Sequence, residues 1–549
     1  MKILKFFLSR SLKQIIIGLI GSLVAAGLYT LGIKTLNLFT TSGVDEQGLY
    51  LLYLSLLFIS SSVITIFISH LTTSHLEQRM VSLRKELSLK ILKSNFERAE
   101  SNRSKFLPVL NTDLIQLSAF AKMMPDAAVA FFQIIGVMSY LVSLSAEMTL
   151  SFILLMVLAF SVVFVLYPVI YRVEKVSAEV RNRLFVSIEA LGSGLKDLSL
   201  NPKHKDWYVQ KEVVTVSNDN ANLVTKLNTL DVGMTKTIET LILVSLGLVI
   251  YILRFITDFD NEGFYTFLTF MLFILPAFVR LATFIKRYKK AQVSMEQIEN
   301  LDFRFEEIES PAGQSMVGGL NVEKNDPVIS LKGVKYTYTE SEQQFTVGAF
   351  DLDVHHNEIL LIRGGNGSGK TTLAKILTGL YLPQFGEVRF CKELIRSENL
   401  ISYRSQFSAV FTDSYVFSNL SYIEDFNLVS AQSLLDELDL NDKVDLQGFK
   451  ISNTKLSFGQ MGRLSLFRTI MEDKDLILLD EWAANQDPHF KEKFYLEIIP
   501  ALKAKGKTII LISHDDHYYH IADRIVKMRA GTIEKTEINK LPGIKPSSI

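Results

Sequence analysis

Six long apolar stretches in the first half limit what this chain can fold into. They cover residues 14–33, 49–71, 127–145, 149–171, 238–256 and 264–285. Each is close to the ~20 residues that an α-helix needs to cross the hydrocarbon core of a membrane. A soluble protein can bury one such helix, but six indicate an all-α transmembrane domain. The segment MKILKFFLSRSLKQ before the first stretch could open a signal peptide. Because no small-residue cleavage site follows, we interpret it as an amphipathic surface segment before an uncleaved span.

Basic residues predict the orientation of the spans. The long loops between spans two and three and between spans four and five are rich in Lys and Arg, whereas SAEM and TDFDNEG on the opposite side are short and poor in them. The N-terminus, both long loops and the C-terminus are therefore expected in the cytoplasm. Apolar residues recur at helical spacing in the long loops, which predicts helices that continue out of the membrane.

The charge balance argues against a nucleic-acid-binding protein, and the cysteine count argues against disulfide and thiolate metal sites. The chain has 58 Lys and Arg against 58 Asp and Glu, so it lacks the basic character typical of a nucleic-acid partner. Its single cysteine, Cys391, can form neither an intrachain disulfide nor a thiolate metal cluster. Because of the six apolar stretches, the first partner that the sequence predicts is the lipid bilayer.

The composition changes after residue 302. Residues 303–327 are rich in Pro, Gly, Ser and acidic residues and indicate a linker. From residue 328 to residue 549, short β runs such as EILLIRG and TIILISH alternate with helical segments. We predict a transmembrane domain at 1–302, a linker at 303–327 and an α/β domain at 328–549.

The stretch ILLIRGGNGSGKTTLAKILTGL fits the P-loop pattern G-x-x-x-x-G-K-S/T between an apolar strand and a helix. Its glycines let backbone N–H groups approach phosphates, and the helix N-terminus favours their charge. Lys370 would reach the β- and γ-phosphates, and Thr371 would bind Mg²⁺. The predicted phosphate-binding residues are Gly364, Gly365, Asn366, Gly367, Ser368, Gly369, Lys370, Thr371 and Thr372.

The strand-like run LILLDE ends in two carboxylates, Asp480 and Glu481. In P-loop enzymes an Asp at this place holds Mg²⁺. The adjacent Glu481 can polarise the attacking water as a general base.

A third motif leads to a family. Leu456-Ser457-Phe458-Gly459-Gln460 resembles the LSGGQ signature of ATP-binding-cassette (ABC) ATPases. The resemblance implies that Ser457, Gly459 and Gln460 bind the γ-phosphate of ATP held by the other subunit. His514 in LISHDD matches the family's switch histidine, residues 485–487 match its D-loop, and Tyr338 matches the aromatic residue that stacks on adenine.

Six spans followed by one such domain is the layout of an ABC half-exporter. The resemblance therefore implies a homodimer that binds two ATP with Mg²⁺, with Glu481, His514 and Lys370 in catalysis. The segments 200–209 and 107–114 are candidates for the coupling helices of that fold.

The strings YRSQFSAVFTDSYVF and LLDEWAANQDPHFKEKFY resemble the subfamily that exports cyclic peptides, lipopeptides and peptide siderophores, with the syringomycin, pyoverdine and microcin exporters as examples. This implies export of a peptide-like small molecule across a bacterial cytoplasmic (inner) membrane. A flippase for a lipid or glycolipid, multidrug-type efflux and a membrane ATPase that regulates a partner remain alternatives. Intramembrane Gln133 and Glu239 are candidates for lining a cavity, although Glu239 is equally compatible with the interface.

The chain departs from the common pattern of the family at four places, one of which is the segment LQGFKISNTK, where the acidic-glycine loop of many exporters is not apparent. Trp482 stands where most ABC exporters have Pro, and Phe458 replaces the first glycine of the signature. Thr412 occupies the place of the Q-loop glutamine, with Gln406 six residues earlier, so Thr412 or Asp413 would have to contribute the side-chain oxygen. The principal catalytic residues are retained, and we expect active ATP hydrolysis.

Overall fold

The computed structural model describes residues 2–41, 44–144, 146–256, 261–300, 326–338, 345–453 and 455–539. The chain forms two compact units. One comprises Met1–Ser94 and Ala99–Phe303, and the other comprises Asn95–Arg98 and Arg304–Ile549. Nearly all of the predicted linker 303–327 lies outside the described residues.

Within its described residues, the regular elements of the first unit are all helices. Two π-helical turns, Val109–Asp113 and Val209–Val213, precede α5 and α10. The helices, of which α3 begins in the second unit, are α1 (Lys2–Thr41), α2 (Val44–Lys93), α3 (Phe96–Ser101), α4 (Arg103–Pro108), α5 (Leu114–Lys122), α6 (Met124–Leu144), α7 (Ala146–Ser193), α8 (Leu195–Leu200), α9 (Pro202–Tyr208), α10 (Val214–Ile256) and α11 (Asn261–Glu299).

The six predicted spans fall on α1, α2, α6, α7, α10 and α11. Residue 145, the last of the third span, lies outside the described residues. Among the described residues, four segments are long and apolar enough to cross a membrane: Ile16–Phe39, Asp45–Lys93, Val109–Ser143 and Thr269–Glu299. Parts of the predicted spans on α7 and α10 have side chains outside the described residues.

The longest helices exceed the thickness of a membrane. Helix α2 has 50 residues, a length of about 75 Å, against a hydrocarbon core of about 30 Å. Its apolar Ile59 and Ile66 are 63% and 69% exposed, as expected for side chains that face lipid. Helix α7, with 48 residues, also continues far beyond its predicted span.

The segments predicted as coupling helices differ from each other. The segment 200–209 contains α9, whose N-cap Asn201 accepts a hydrogen bond from the backbone N–H of His204. In 107–114, by contrast, Val109 and Asp113 are buried within the first unit. It is the nearby segment Asn95–Arg98 that belongs to the second unit, where Phe96 lies 6.2 Å from the Tyr381 ring.

The second unit is built on two sheets. The first is a four-stranded antiparallel sheet in the order β2-β1-β4-β5, and the second a six-stranded sheet in the order β12-β11-β3-β10-β9-β6. A short β7-β8 hairpin is separate. The strands are β1 (Pro327–Thr337), β2 (Thr346–His355), β3 (Ile359–Gly364), β4 (Phe385–Phe390), β5 (Glu393–Leu394), β6 (Phe407–Val410), β7 (Leu446–Gln447), β8 (Lys450–Ile451), β9 (Leu476–Asp480), β10 (Thr508–Ile512), β11 (Arg524–Arg529) and β12 (Thr532–Ile538).

Helices cover the six-stranded sheet, and their apolar faces form two cores with it. They are α12 (Lys370–Leu377), α13 (Leu400–Arg404), α14 (Leu428–Glu437), α15 (Phe458–Met471), α16 (Pro488–Lys493) and α17 (Ile499–Ala504). The strands β9 and β10 are buried at every position, as expected for parallel strands covered on both faces.

The parallel strands bring the predicted motifs to one edge. In the register of β10, Ile512 pairs with both Asp480 at the end of β9 and Ile362 near the end of β3. The residues that follow β3, β9 and β10 therefore emerge side by side. In open α/β sheets, ligands bind outside the carboxyl ends of the strands.

Candidate nucleotide site

The P-loop joins β3 to α12 in the conformation that its glycines allow. Gly369, the N-cap of α12, has φ of +93°, and a Cβ there would lie 2.7 Å from Val347. Only glycine fits this position without displacing its neighbour. Gly365, Asn366 and Gly367 are exposed at the tip of the loop, while Ser368 is buried beneath it.

Lys370, Glu481 and His514 converge at the edge of the sheet. The Lys370 Nζ donates to the carbonyls of Gly364 and Gly365 at 3.0 and 3.2 Å. It also lies 3.4 Å from Glu481 Oε1. His514 Nε2 is 3.2 Å from the same oxygen. One carboxylate thus lies between two groups that are predicted to contact the γ-phosphate.

Glu481 is held in an unusual backbone conformation. Its φ is +51°, in the left-handed region that non-glycine residues seldom adopt. The Glu481 N–H donates to the carbonyl of Ile512 at 2.9 Å, and its carbonyl accepts from Ala484 N–H at 3.1 Å. Such strain persists only where surrounding contacts enforce it, and it is concentrated at functional sites.

Asp480 is the buried carboxylate of the pair. It is 0% exposed, and neither of its carboxylate oxygens accepts a well-formed hydrogen bond within the described residues. Burial raises the pKa of Asp480 to about 6, although the nearby Thr371 hydroxyl opposes the shift. An orphaned carboxylate beside a threonine hydroxyl offers the hard oxygen ligands that suit Mg²⁺.

We expect Asp480→Asn to stabilise the nucleotide-free protein at neutral pH. Because the pKa of Asp480 rises from 3.8 to about 6 on folding, the folded state binds the proton more tightly than the unfolded chain. The free energy of unfolding therefore falls as the pH rises between these two values. An uncharged Asn has no such pH dependence, so the substitution should raise the free energy of unfolding at neutral pH by roughly 1–3 kcal/mol.

Thermal unfolding of both proteins at about pH 4 and about pH 7.5 measures this effect. The stabilisation should be present at the higher pH and largely absent at the lower one. The exposed exchange Asp442→Asn serves as the control and should shift neither transition. An equal gain from Asp480→Asn at both pH values would contradict the assignment.

The signature segment begins α15 with a capping box. The Ser457 Oγ accepts a hydrogen bond from Gln460 N–H at 3.3 Å, and the Gln460 Oε1 accepts one from Ser457 N–H at 3.1 Å. The hydroxyl proton of Ser457 remains free for another acceptor, because Oγ only accepts in this pair. Gly459 has no room for a side chain, since a Cβ would lie 2.9 Å from the Asn485 carbonyl oxygen. Phe458 is 68% exposed at the start of the helix.

Tyr338 lies beside the helix that follows the P-loop. Its hydroxyl is 2.8 Å from the Thr372 Oγ1. The partly buried ring contacts Tyr336 edge-on at 5.2 Å. Thr372 itself is buried, so its hydroxyl orients Tyr338, whereas Thr371 is exposed at the first turn of α12.

Trp482 joins the residues after Glu481 to the signature helix, a contact that the sequence did not predict. Its side chain is 6% exposed, and its Nε1 donates to the Gly462 carbonyl at 2.7 Å. Its ring lies 4.3 Å from that of Phe494. The Gln486 Nε2 adds a second bond, to the Gly459 carbonyl at 2.9 Å.

Arg463 completes this connection from the helix side. It donates to the Gln486 Oε1 at 3.0 Å and pairs with Asp487 at 2.6 Å. The motif residues alone carry no signal for these contacts. The spacing of Gly459 and Gly462 on one face of α15 could have indicated close approach by another segment.

The Q-loop region shows why Gln406 cannot take the usual role. Gln406 precedes β6, and its carbonyl accepts from Leu476 N–H at the start of β9. It therefore lies at the end of the strands opposite to Asp480. Thr412 follows β6 and lines the same cleft as Asp480 and Glu481. Asp413 is close enough for its charge to raise the pKa of Asp480.

Comparison with curated proteins decides the family. The chain is 32% identical over 471 residues to the ATP-binding protein SyrD of Pseudomonas syringae pv. syringae, which is 83% of this chain and 82% of SyrD. The chain belongs to the ABC transporter family. The family profile described as ABC transporter matches residues 347–484 of this transporter.

Two further comparisons concern the fold and a more distant relative. The transporter has the fold of a bacterial Atm1-family ABC exporter with ATP bound, with a TM-score of 0.78, 13% identity and 96% coverage of both chains. It is 26% identical over 292 residues to the multidrug resistance protein sirA of Leptosphaeria maculans, which is 50% of this chain and 23% of sirA.

These findings confirm the predicted fold class, a helical transmembrane domain of the ABC exporter type followed by an α/β P-loop ATPase domain. The transporter is a membrane protein that binds nucleotide and couples ATP hydrolysis to transport.

Proposed function

We propose that the transporter exports a peptide-type natural product, a cyclic peptide, lipopeptide or peptide siderophore, across the bacterial cytoplasmic membrane. The observation that carries this proposal is the 32% identity to SyrD along most of both chains. The stretch LLDEWAANQDPHFKEKFY, whose tryptophan has a defined structural role, resembles the subfamily that exports such compounds.

The second part of the proposal is that the working unit is a homodimer. The chain carries one P-loop and one signature helix, and in the family these act across two subunits. The free hydroxyl proton of Ser457 supports this role, because it is available to a phosphate oxygen of ATP bound to the partner subunit. Gly459 and the amino end of α15 would add backbone donors.

Within one site, we assign roles to the converging side chains. Lys370 would neutralise charge on the β- and γ-phosphates. Glu481 would polarise the attacking water, and His514, 3.2 Å from it, would contact the γ-phosphate. Tyr338 would stack on adenine, with its orientation maintained by Thr372.

Thr371 and Asp480 would hold Mg²⁺ when ATP is bound. The carboxylate of Asp480 fits this role, because it is buried beside the Thr371 hydroxyl and its oxygens accept no well-formed hydrogen bond from the described residues. The bound ion would supply electrostatic stabilisation of the phosphoryl oxygens. Thr412 and Asp413, which lie near this carboxylate, would replace the usual glutamine.

ATP binding would favour one conformation of the dimer, and hydrolysis would restore the other. ATP shifts the equilibrium between the two conformations because it binds one of them more tightly than the other. In this alternating-access cycle the long helices that extend beyond the spans would transmit closure of the ATPase domains to the membrane.

The test is ATP-driven uptake into inverted membrane vesicles, comparing cyclic lipopeptides with labelled lipids. Peptide uptake that requires ATP and is absent with Glu481→Gln is the expected result. Movement of lipids without peptides would replace the proposal with a flippase. Uptake of unrelated cationic dyes at comparable rates would favour multidrug-type efflux, the activity named for sirA.

A further inference from the structure

Arg280 is a charged residue within the last predicted span, and its guanidinium turns into the helical bundle. It lies on α11 and donates a hydrogen bond to the Oε1 of Gln133 on α6. Gln133 is only 4% exposed. An arginine that merely extends along its helix to the membrane surface would not bond to a buried amide.

The charge of Arg280 has no counterion among the residues that the structure describes. Its hydrogen-bond partner is a neutral amide, and its Nε is shielded from solvent and has no acceptor in the described part of the chain. Lys290 on the same helix lies instead within 4.0 Å of two carboxylates, Glu174 and Asp231. Because arginine stays protonated in proteins, this positive charge persists at every relevant pH.

Both residues lie at one depth below the cytoplasmic surface. In the predicted orientation, the third span begins at residue 127 and the sixth ends at residue 285 on the cytoplasmic side. At the rise of an α-helix, Gln133 is then about 9 Å and Arg280 about 8 Å inside the membrane. Ionisable residues at such depth are costly and usually mark a path for a substrate or an ion.

Three partly exposed aromatic residues form a cluster further into the membrane. The Tyr29 ring lies 5.3 Å from Phe58 and 6.4 Å from Phe273. All three are about 18–23 Å from the cytoplasmic ends of their predicted spans, roughly 10–15 Å deeper than Arg280. The charge of Arg280 is still within electrostatic range of the Tyr29 hydroxyl.

We infer that Arg280 and Gln133 bind a carboxylate of the transported compound, while the apolar part of that compound lies against the cluster of Tyr29, Phe58 and Phe273. This inference rests on the proposed function and narrows the substrate class to anionic amphipathic peptides. A guanidinium is suited to a carboxylate, which would accept from the N–H groups that Gln133 does not occupy and supply the missing counterion. The amide of Gln133 would hold the guanidinium in place.

The experiment measures ATP-dependent uptake of two probes by the full-length protein in inside-out proteoliposomes. The probes are an N-dodecanoyl dipeptide with a free C-terminal carboxylate and the same compound as its C-terminal amide. With the unmodified transporter, the KM for the acid should be about 10- to 100-fold lower than for the amide. Arg280→Gln should remove this difference by raising the KM for the acid.

Two variants make the result specific. Arg287→Gln removes an equal charge from an exposed position of the same helix and should leave both KM values unchanged. Gln133→Glu adds a carboxylate beside Arg280 in an isosteric side chain, so it should weaken uptake of the acid without leaving a charge unpaired. It provides the test if Arg280→Gln does not fold.

The outcomes separate this inference from the proposed function. Equal KM values for the acid and the amide, or an unchanged preference in both Arg280→Gln and Gln133→Glu, would overturn the anion site alone. Movement of labelled phosphatidylglycerol with uptake of neither peptide would overturn the proposed function and the substrate assignment together.

Discussion

Replacing Glu481 with Gln is expected to lower the rate of ATP hydrolysis by about 100-fold or more while ATP still binds. The glutamine keeps the shape of the side chain, but it cannot accept a proton from the attacking water. In the protein, Glu481 Oε1 lies 3.4 Å from Lys370 and 3.2 Å from His514. Losing its charge removes the electrostatic attraction between Glu481 and Lys370, so the nucleotide phosphates face less competition for Lys370.

Phosphate release by the purified transporter measures the rate, and binding of a fluorescent ATP analogue measures occupancy. The variant Glu492→Gln, an exposed exchange of the same chemistry on α16, should hydrolyse ATP normally. Undiminished turnover of Glu481→Gln with saturating ATP would show that another group is the general base.

Replacing Lys370 with Met should weaken ATP binding, in contrast to Glu481→Gln, which should leave ATP bound. The Lys370 side chain is 5% exposed and donates to two P-loop carbonyls, so its ammonium group has a fixed position. Loss of a charged hydrogen bond to phosphate should weaken ATP binding by about 10- to 100-fold. Hydrolysis should fall with it, because the charge that develops in the transition state is no longer neutralised.

The pair of variants distinguishes binding from chemistry. Lys370→Met should fail to retain ATP in a filter-binding assay, whereas Glu481→Gln should retain it. Lys505→Met, at an exposed site after α17, controls for loss of one positive charge. Tight ATP binding by Lys370→Met would refute the proposed phosphate contact.

Elements encoded by contiguous residues could be predicted from the sequence. The P-loop needs glycines with positive φ directly before a helix, and the helix α12 begins at Lys370 as expected. The long apolar stretches predict helices because an unpaired backbone is too costly in a membrane. The acidic strand was recognisable because β9 is apolar at every position before Asp480.

Contacts between distant segments could not be predicted in this way. The bond from Trp482 to Gly462 depends on how α15 packs beside the residues after β9, which no local pattern encodes. The same applies to Gln406, whose exclusion from the site follows from the parallel register of β6 and β9. Arg280 sits in a stretch that hydropathy alone identifies as a span, and only the structure pairs it with Gln133.

The bridge between Trp482 and the signature helix has a consequence for the timing of hydrolysis. Trp482 follows Glu481 directly, and its indole fixes the distance from that residue to α15 within one subunit. In the proposed dimer, α15 contacts one ATP while Glu481 acts on the other. A displacement of α15 at the first ATP is therefore accompanied by a displacement of Glu481 at the second. The two ATP molecules would then be hydrolysed at interdependent rates, and steady-state kinetics would show a Hill coefficient that differs from one.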